Sequence, residues 1–273
     1  MMARVAVLQM VSSANVQENL SSLDLLFLKA RDEGAELLVL PENFAFMGLH
    51  ETDKLKIAEE FGHGEIQHTV SQLAKRYRLW VIAGSIPLRS SIERVRASCV
   101  VYDDHGAFVD RYDKIHLFDV RISSEESHQE SLTIERGDKL VVVDTPVGRI
   151  GLSICYDLRF PELYQQLLLK GAELFTIPAA FTAVTGMAHW EVLLRARAIE
   201  NLCYVLASNQ GGVHVNGRNT HGHSMIVEPW GKVINEHHQG SGIIFADIDL
   251  QKLRQLRLQF PTNDHHILSM QRI

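Results

Sequence analysis

The sequence predicts an α/β protein in which two sheets pack face to face with helices outside. Three observations predict it. Strand-like and helix-like stretches mix from the first residues to the last, the pattern of a single mixed unit. Leu37–Leu40 is a continuous apolar run, which marks a strand covered on both faces, and Ile150–Ile154 reads as a short buried strand. About a dozen strand candidates stand against about five helices, too strand-rich for one doubly wound sheet.

The elements follow in order. Val5–Gln9 is a strand. Asn15 with Glu18 three residues on has the form of a capping box, and Leu20, Leu23, Phe27 and Ala30 then share one helical face up to Gly34. Leu37–Leu40 is a buried strand ending in Pro41-Glu42-Asn43-Phe44. A helix is expected over Ile66–Arg76 and a strand over Trp80–Ser85. Ala97–Tyr102 and Phe108–Tyr112 flank Asp103-Asp104-His105-Gly106 as a hairpin, with Lys114 at its exit. Phe118–Gly137 is polar and irregular, too long for a plain connector. Lys139–Thr145 and Arg149–Ile154 pair around Pro146-Val147-Gly148. A helix over Pro161–Lys170 leads to strand Glu173–Ile177. Pro178–Met187 reads as a small-residue loop and Ala188–Asn201 as a helix. Tyr204–Ser208, Ser224–Val227, Val233–Asn235 and Ile243–Ile248 are further strands. With no repeat or linker, residues 1–273 are expected to form one domain.

Bulk properties exclude several classes. The 273 residues carry 27 basic and 33 acidic side chains, net −6, so neither nucleic acid nor an anionic membrane surface is an expected partner. Apolar runs fall far short of a membrane span, and the N-terminal stretch enters a strand without a signal-peptide cleavage region. Three cysteines, Cys99, Cys155 and Cys203, do not make a disulfide framework. A reducing cytoplasm is the expected compartment, and no cofactor is expected.

The chemistry centres on Val147–Tyr164. Cys155 lies at the tip of a buried strand and ahead of a helix expected from Pro161, where backbone N–H groups and the helix dipole favour a thiolate or a developing anion. A half-buried structural cysteine fits the same stretch. Glu42 and Lys114 also stand where strands run out, the positions at which sites collect in α/β sheets. Together the three make a complete acyl-transfer set. The thiol attacks a carbonyl carbon, and the carboxylate takes its proton and passes it to the leaving amine. The ammonium, with the Tyr156 backbone N–H, holds the oxyanion.

These residues sit in motifs that resemble the carbon–nitrogen hydrolases of the nitrilase superfamily from end to end. They are Leu40-Pro41-Glu42-Asn43-Phe44, then Tyr112-Asp113-Lys114-Ile115-His116-Leu117-Phe118, then Gly151-Leu152-Ser153-Ile154-Cys155-Tyr156-Asp157-Leu158-Arg159-Phe160-Pro161-Glu162. The resemblance implies a four-layer α-β-β-α sandwich, a Glu-Lys-Cys site working through a thioester, and a homodimer joined through helices. Glu130 matches a second family glutamate beside the lysine. By its own chemistry it either hydrogen-bonds Lys114 and positions the hydrolytic water, or is one more solvated carboxylate beside Glu125 and Glu126.

Within the family, Pro178–Phe181, Thr185–Glu200 and Gly222–Met225 look like the branch of deaminated glutathione amidases. The implied substrate is an anionic keto-acid amide, hydrolysed to 2-oxoglutarate and cysteinylglycine. Such an acyl half needs a cation, for which Arg159 is the candidate, with Phe181 and Thr182 flanking the chain by analogy. Arg159 could equally order its turn by pairing with Asp157 or Glu162. The ending Phe260–His266 lacks the arginines many relatives show, and the loop His214–Asn219 also varies, so substrate choice stays open. An omega-amidase acting on 2-oxoglutaramate, a Cys-His hydrolase of papain type and a non-catalytic binding protein on this scaffold are the alternatives. His221, His223, His237 and His238 lack a zinc signature, so no metal is expected. Cys99 and Cys203 read as core, and Glu191 and Arg195 as a helical ion pair.

Overall fold

The computed structural model describes residues 2–122 and 127–267; Glu125 and Glu126 lie outside them. In chain order the strands and helices are β1 (Ala3–Gln9), α1 (Val16–Asp32), β2 (Leu37–Val39), α2 (Glu65–Tyr77), β3 (Trp80–Arg89), β4 (Val95–Tyr102), β5 (Phe108–Asp113), β6 (Asp119–Arg121) and β7 (Ser127–Gln129). There follow β8 (Val142–Thr145), β9 (Gly148–Leu152), α3 (Pro161–Leu169), β10 (Leu174–Ala179), α4 (Ala183–Asn201), β11 (Tyr204–Asn209), β12 (Ser224–Val227), β13 (Val233–His237), β14 (Gly242–Ile248) and α5 (Leu250–Gln259).

Two six-stranded sheets result, ordered β14-β1-β2-β3-β4-β5 and β13-β12-β11-β10-β9-β8. Each has three parallel strands at its centre, β1-β2-β3 and β9-β10-β11, with antiparallel strands outside. Strand alternation explains the layers. Val5, Val7, Leu37 and Val39 point into a core shared with Ile150, Leu152, Leu174 and Leu206 of the opposite sheet. Their neighbours Ala6, Leu8, Leu38 and Leu40 point the other way, onto Leu23 and Phe27 of α1 and Val70 and Leu73 of α2. On the far side Leu163 and Leu167 of α3 and Trp190 and Leu194 of α4 cover the second sheet. This is the expected α-β-β-α sandwich.

Several boundaries differ from the sequence expectation. Asn15 does cap α1, its side chain accepting from Glu18 N, but the Glu18 carboxylate takes the Ser13 hydroxyl at 2.7 Å, so the box is half closed. α4 starts five residues before the expected Ala188, because Thr182 caps it and Gly186 is accommodated within the helix. A Cβ at Gly186 would meet His221 Cβ and Cγ at 2.3 Å. α5 was not expected: only Leu253 of its residues is buried, leaving no apolar stripe to read. The irregular Phe118–Gly137 stretch holds the short β6-β7 ribbon and a 3₁₀ turn at Glu130–Leu132.

Candidate active site

β2, β5, β9 and β10 all end at one edge of the sandwich. β5 runs antiparallel to β4, and β4 to β3, which returns its C-terminal end to the edge where β2 finishes. Glu42 follows β2, Lys114 follows β5, Cys155 follows β9, and Ala180 follows β10. Collecting these strand ends brings together residues more than a hundred positions apart.

Two glycines let the chain close up here. Gly84, at φ +36° in the irregular part of β3, has no room for a Cβ, which would fall 1.9 Å from the Pro41 carbonyl oxygen. The next residue, Ser85, accepts from Asn43 N with its hydroxyl at 3.0 Å and anchors the Glu42 loop. Gly137 likewise has no room for a Cβ beside Asp113, and its N–H donates to Lys114 O at 2.8 Å.

The Lys114 ammonium is fully buried, with Nζ 2.8 Å from Glu42 Oε1 and 2.9–3.0 Å from both Glu130 oxygens. Burial alone would lower its pKa, but Glu130 and Glu42 outweigh that and raise it well above the ordinary lysine value, so the charge is permanent. Glu130, desolvated yet faced by Lys114 and given a backbone N–H by Phe118 at 2.8 Å, is held well below the usual carboxylate range. Glu42 is anchored at its other oxygen by Ala180 N at 2.9 Å.

Cys155 opens a 3₁₀ turn over Cys155–Arg159 at φ +48°, a left-handed conformation that costs a non-glycine residue about 1–3 kcal/mol. The expectation that a helix N-terminus favours the thiolate is not met. α3 begins at Pro161, as expected, but burial together with the Glu42 charge pushes the thiol well up despite Lys114. Cys155 is held as a thiol, first by burial and then by the Glu42 charge pressing on it. Among the described residues no acceptor takes the Tyr156 N–H, which leaves it open to an oxyanion.

Arg159 pairs with neither Asp157 nor Glu162. Asp157 is buried and taken up by Tyr112 Oη at 2.7 Å, His116 N and Nδ1 at 3.1 and 2.7 Å, and Ile154 N at 2.8 Å. The guanidinium instead lies over the Tyr156 and Phe181 rings, 5.8 and 5.1 Å from their centroids, with His189 as a side contact. Phe181 therefore stands beside Arg159. Thr182 does not offer a free hydroxyl: its Oγ1 caps α4, accepting from Thr185 N and meeting Thr185 Oγ1 at 2.8 Å. The Asp157 hub was missed by the sequence reading; the signal was there in Tyr112, His116 and Asp157, which all sit inside the quoted motifs.

Cys99 and Cys203 are buried, and Glu191 pairs with Arg195 at 3.1 Å, as expected. The histidines set aside as plain loop and core residues do come together in part. Donor atoms of His223, Glu236 and His238 lie within 4.8 Å of one another on the β12-β13 hairpin, with His223 Nδ1 on Glu236 Oε1 at 2.5 Å.

Fold and site together define a hydrolase acting on amide C–N bonds. The sequence profile of the carbon-nitrogen hydrolase family matches residues 4–258, and the chain belongs to that family. It is 42% identical to the deaminated glutathione amidase of Yersinia enterocolitica over 97% of this chain and 93% of that protein. The human deaminated glutathione amidase is 42% identical over 96% of this chain and 81% of its own. The crystal structure of the Caenorhabditis elegans NitFhit protein superposes with a TM-score of 0.91 at 37% identity, covering 97% of this chain and 65% of that one. Saccharomyces cerevisiae Nit3, a member of branch 10 of the nitrilase superfamily, superposes at 0.85 with 29% identity over 95% and 94%.

Proposed function

We propose that the protein hydrolyses deaminated glutathione to 2-oxoglutarate and cysteinylglycine, with Cys155 as nucleophile. Glu42 takes the thiol proton as the sulfur attacks the amide carbon. The Lys114 ammonium has three N–H bonds. Glu42 takes one and the two Glu130 oxygens share another, which leaves the third, with Tyr156 N–H, for the oxyanion. Glu42 returns the proton to the leaving nitrogen, the C–N bond breaks, and a thioester remains. Water, deprotonated by Glu42 and oriented by Glu130, then splits the thioester and restores the thiol. The observation that carries the reading is the single buried contact set of Lys114 with both glutamates at the Cys155 turn. Arg159, held over Tyr156 and Phe181 without a carboxylate partner among the described residues, is the cation for the keto-acid half.

The protein acts, in this proposal, as a homodimer in a reducing cytoplasm, where its three cysteines stay free. Among the described residues no helix is long and apolar enough to cross a membrane. The test is steady-state comparison of deaminated glutathione with 2-oxoglutaramate, alongside intact-mass trapping of an acyl group on Cys155 and a Cys155→Ala control. A higher kcat/KM for 2-oxoglutaramate overturns the substrate while leaving the catalyst. Full activity in Lys114→Ala, with loss on replacing a histidine, would favour the Cys-His alternative.

A further inference from the structure

Beside the reacting groups lies a cavity of about 550 Å³ whose wall includes Glu42 and Glu130 but not Arg159, Tyr156 or Phe181. Its other walls are the Met47–Glu51 loop with Lys54, Ser85–Pro87 of β3, the first residues of α4, and residues 216–219. Ammonia as leaving group would use a small part of this space, since one water takes about 30 Å³ of liquid. A dipeptide-sized amine fits the volume range of ordinary ligand sites.

Arg218 carries the charge that matters in this wall. The Glu42 and Glu130 carboxylates are taken by Lys114, and Glu51 is taken by Lys54 at 2.7 Å. Arg218 has no ion pair among the described residues. Its Nη2 donates to Ala180 O at 2.6 Å, and its buried Nε has no hydrogen-bond partner. Ala180 gives its N–H to Glu42, so one peptide residue separates this guanidinium from the catalytic carboxylate.

The loop bearing Arg218 is built to hold still. His214 bonds Ser12 O at 2.9 Å and Thr220 Oγ1 at 2.8 Å, Asn216 Oδ1 accepts from Arg218 N at 2.9 Å, and Asn216 Nδ2 reaches across to Gly48 O at 2.8 Å. That last bond ties the two lips of the cavity together.

We infer that Arg218 reads a carboxylate on the leaving amine, so that the enzyme selects amides whose departing half is anionic, while Arg159 reads the acyl half on the other side of the scissile bond. This rests on the amidase reading above and adds the leaving-group side to it. With Nη2 given to Ala180 O and Nε sealed from the cavity, the Nη1 N–H groups are the ones left to a carboxylate, as charge-assisted donors from a planar guanidinium on the wall.

The experiment compares deaminated glutathione with its C-terminal carboxamide, and includes 2-oxoglutaramate. Wild type is expected to favour the free carboxylate by about 10–100-fold in kcat/KM, the range for one charge-assisted hydrogen-bonded contact. Arg218→Gln is expected to bring that ratio close to one, and Arg218→Lys, which keeps charge but loses the fork, to leave it in between. A wild-type ratio near one, or a ratio that survives in Arg218→Gln, overturns the inference. Should Arg218→Gln fail to fold, Arg218→Lys decides by the same ratio, an unchanged value overturning it. Hydrolysis of 2-oxoglutaramate alone overturns the substrate reading, and the leaving-group site with it, a result distinct from equal turnover of the matched pair.

Discussion

At the scale of single residues, the ionisation of Cys155 is set by opposing neighbours. Burial and the Glu42 charge hold the thiol protonated, and Lys114 pulls the other way. Removing the Glu42 charge should therefore make the sulfur easier to ionise and the enzyme slower. In Glu42→Gln the thiolate absorbance and the rate of alkylation should titrate at lower pH than in wild type, while kcat falls about 10²–10⁴-fold for loss of the general base. A thiol titration that moves upward would show that Glu42 does not face the sulfur. Glu130 supplies a second test through stability. Its folded pKa lies below its ordinary value of 4.5, so it stabilises the fold above that pH and loses the contribution as pH falls through the depressed folded value. Glu130→Gln should flatten this acid limb in denaturant midpoints measured against pH.

At the scale of elements, the Asp157 hub joins two turns that the sheets only bring close. Tyr112 ends β5 and His116 follows Lys114, while Ile154 and Asp157 bracket Cys155, so one buried carboxylate fixes the lysine turn to the cysteine turn. Asp157→Asn keeps the shape but cannot accept from four N–H and O–H donors, and should cost about 1–3 kcal/mol of stability for the groups left unsatisfied. A fall in kcat beyond what the lost stability explains, read with a KM little changed, would mark displacement of Lys114 from Cys155. Why this hub escaped sequence reading is instructive. Leu37–Leu40, the α1 stripe and the three motifs were legible because burial and backbone pattern write themselves into consecutive residues. Asp157 was placed near Arg159 by proximity in sequence, whereas its partners Tyr112 and His116 are 45 and 41 residues away. α5 escaped for a similar reason: Arg254 and Arg257 hold it to Glu173 and to the Leu202 and Ala172 carbonyls, and no apolar stripe announces it. The start of α4 was masked by Gly186, whose composition suggested a loop where Thr182 had already capped a helix.

At the scale of the whole molecule, α4 is apolar on two sides. Trp190, Leu194 and Ala198 face the sheet, yet Val184, Met187, Val192 and Ile199 are exposed, Met187 at 84% and Val192 at 67%. The exposed side continues off the helix. Gly231 abuts Ile199 while Arg195 Nε holds its carbonyl at 2.8 Å, and Trp230, 59% exposed, packs edge-on against Phe260 at the end of α5. Exposed apolar side chains on α4 and at the Trp230 turn, with the Glu191–Arg195 ion pair among them, are the kind of surface an interface between copies uses. A two-fold contact of standard size buries about 1,200–2,000 Å² in total. The proposed homodimer is therefore expected to pair through α4 and the Trp230 turn. Sedimentation of wild type at micromolar concentration should give twice the chain mass, and a Met187→Glu, Val192→Glu double variant should give the single mass. The same variant should lose activity as well, because α4 begins at the Thr182 cap directly after Phe181, the ring beneath Arg159. Loosening the helix would loosen the substrate cation. A wild type that sediments as one chain would overturn the interface, and a monomeric variant of full activity would show that the site does not depend on it.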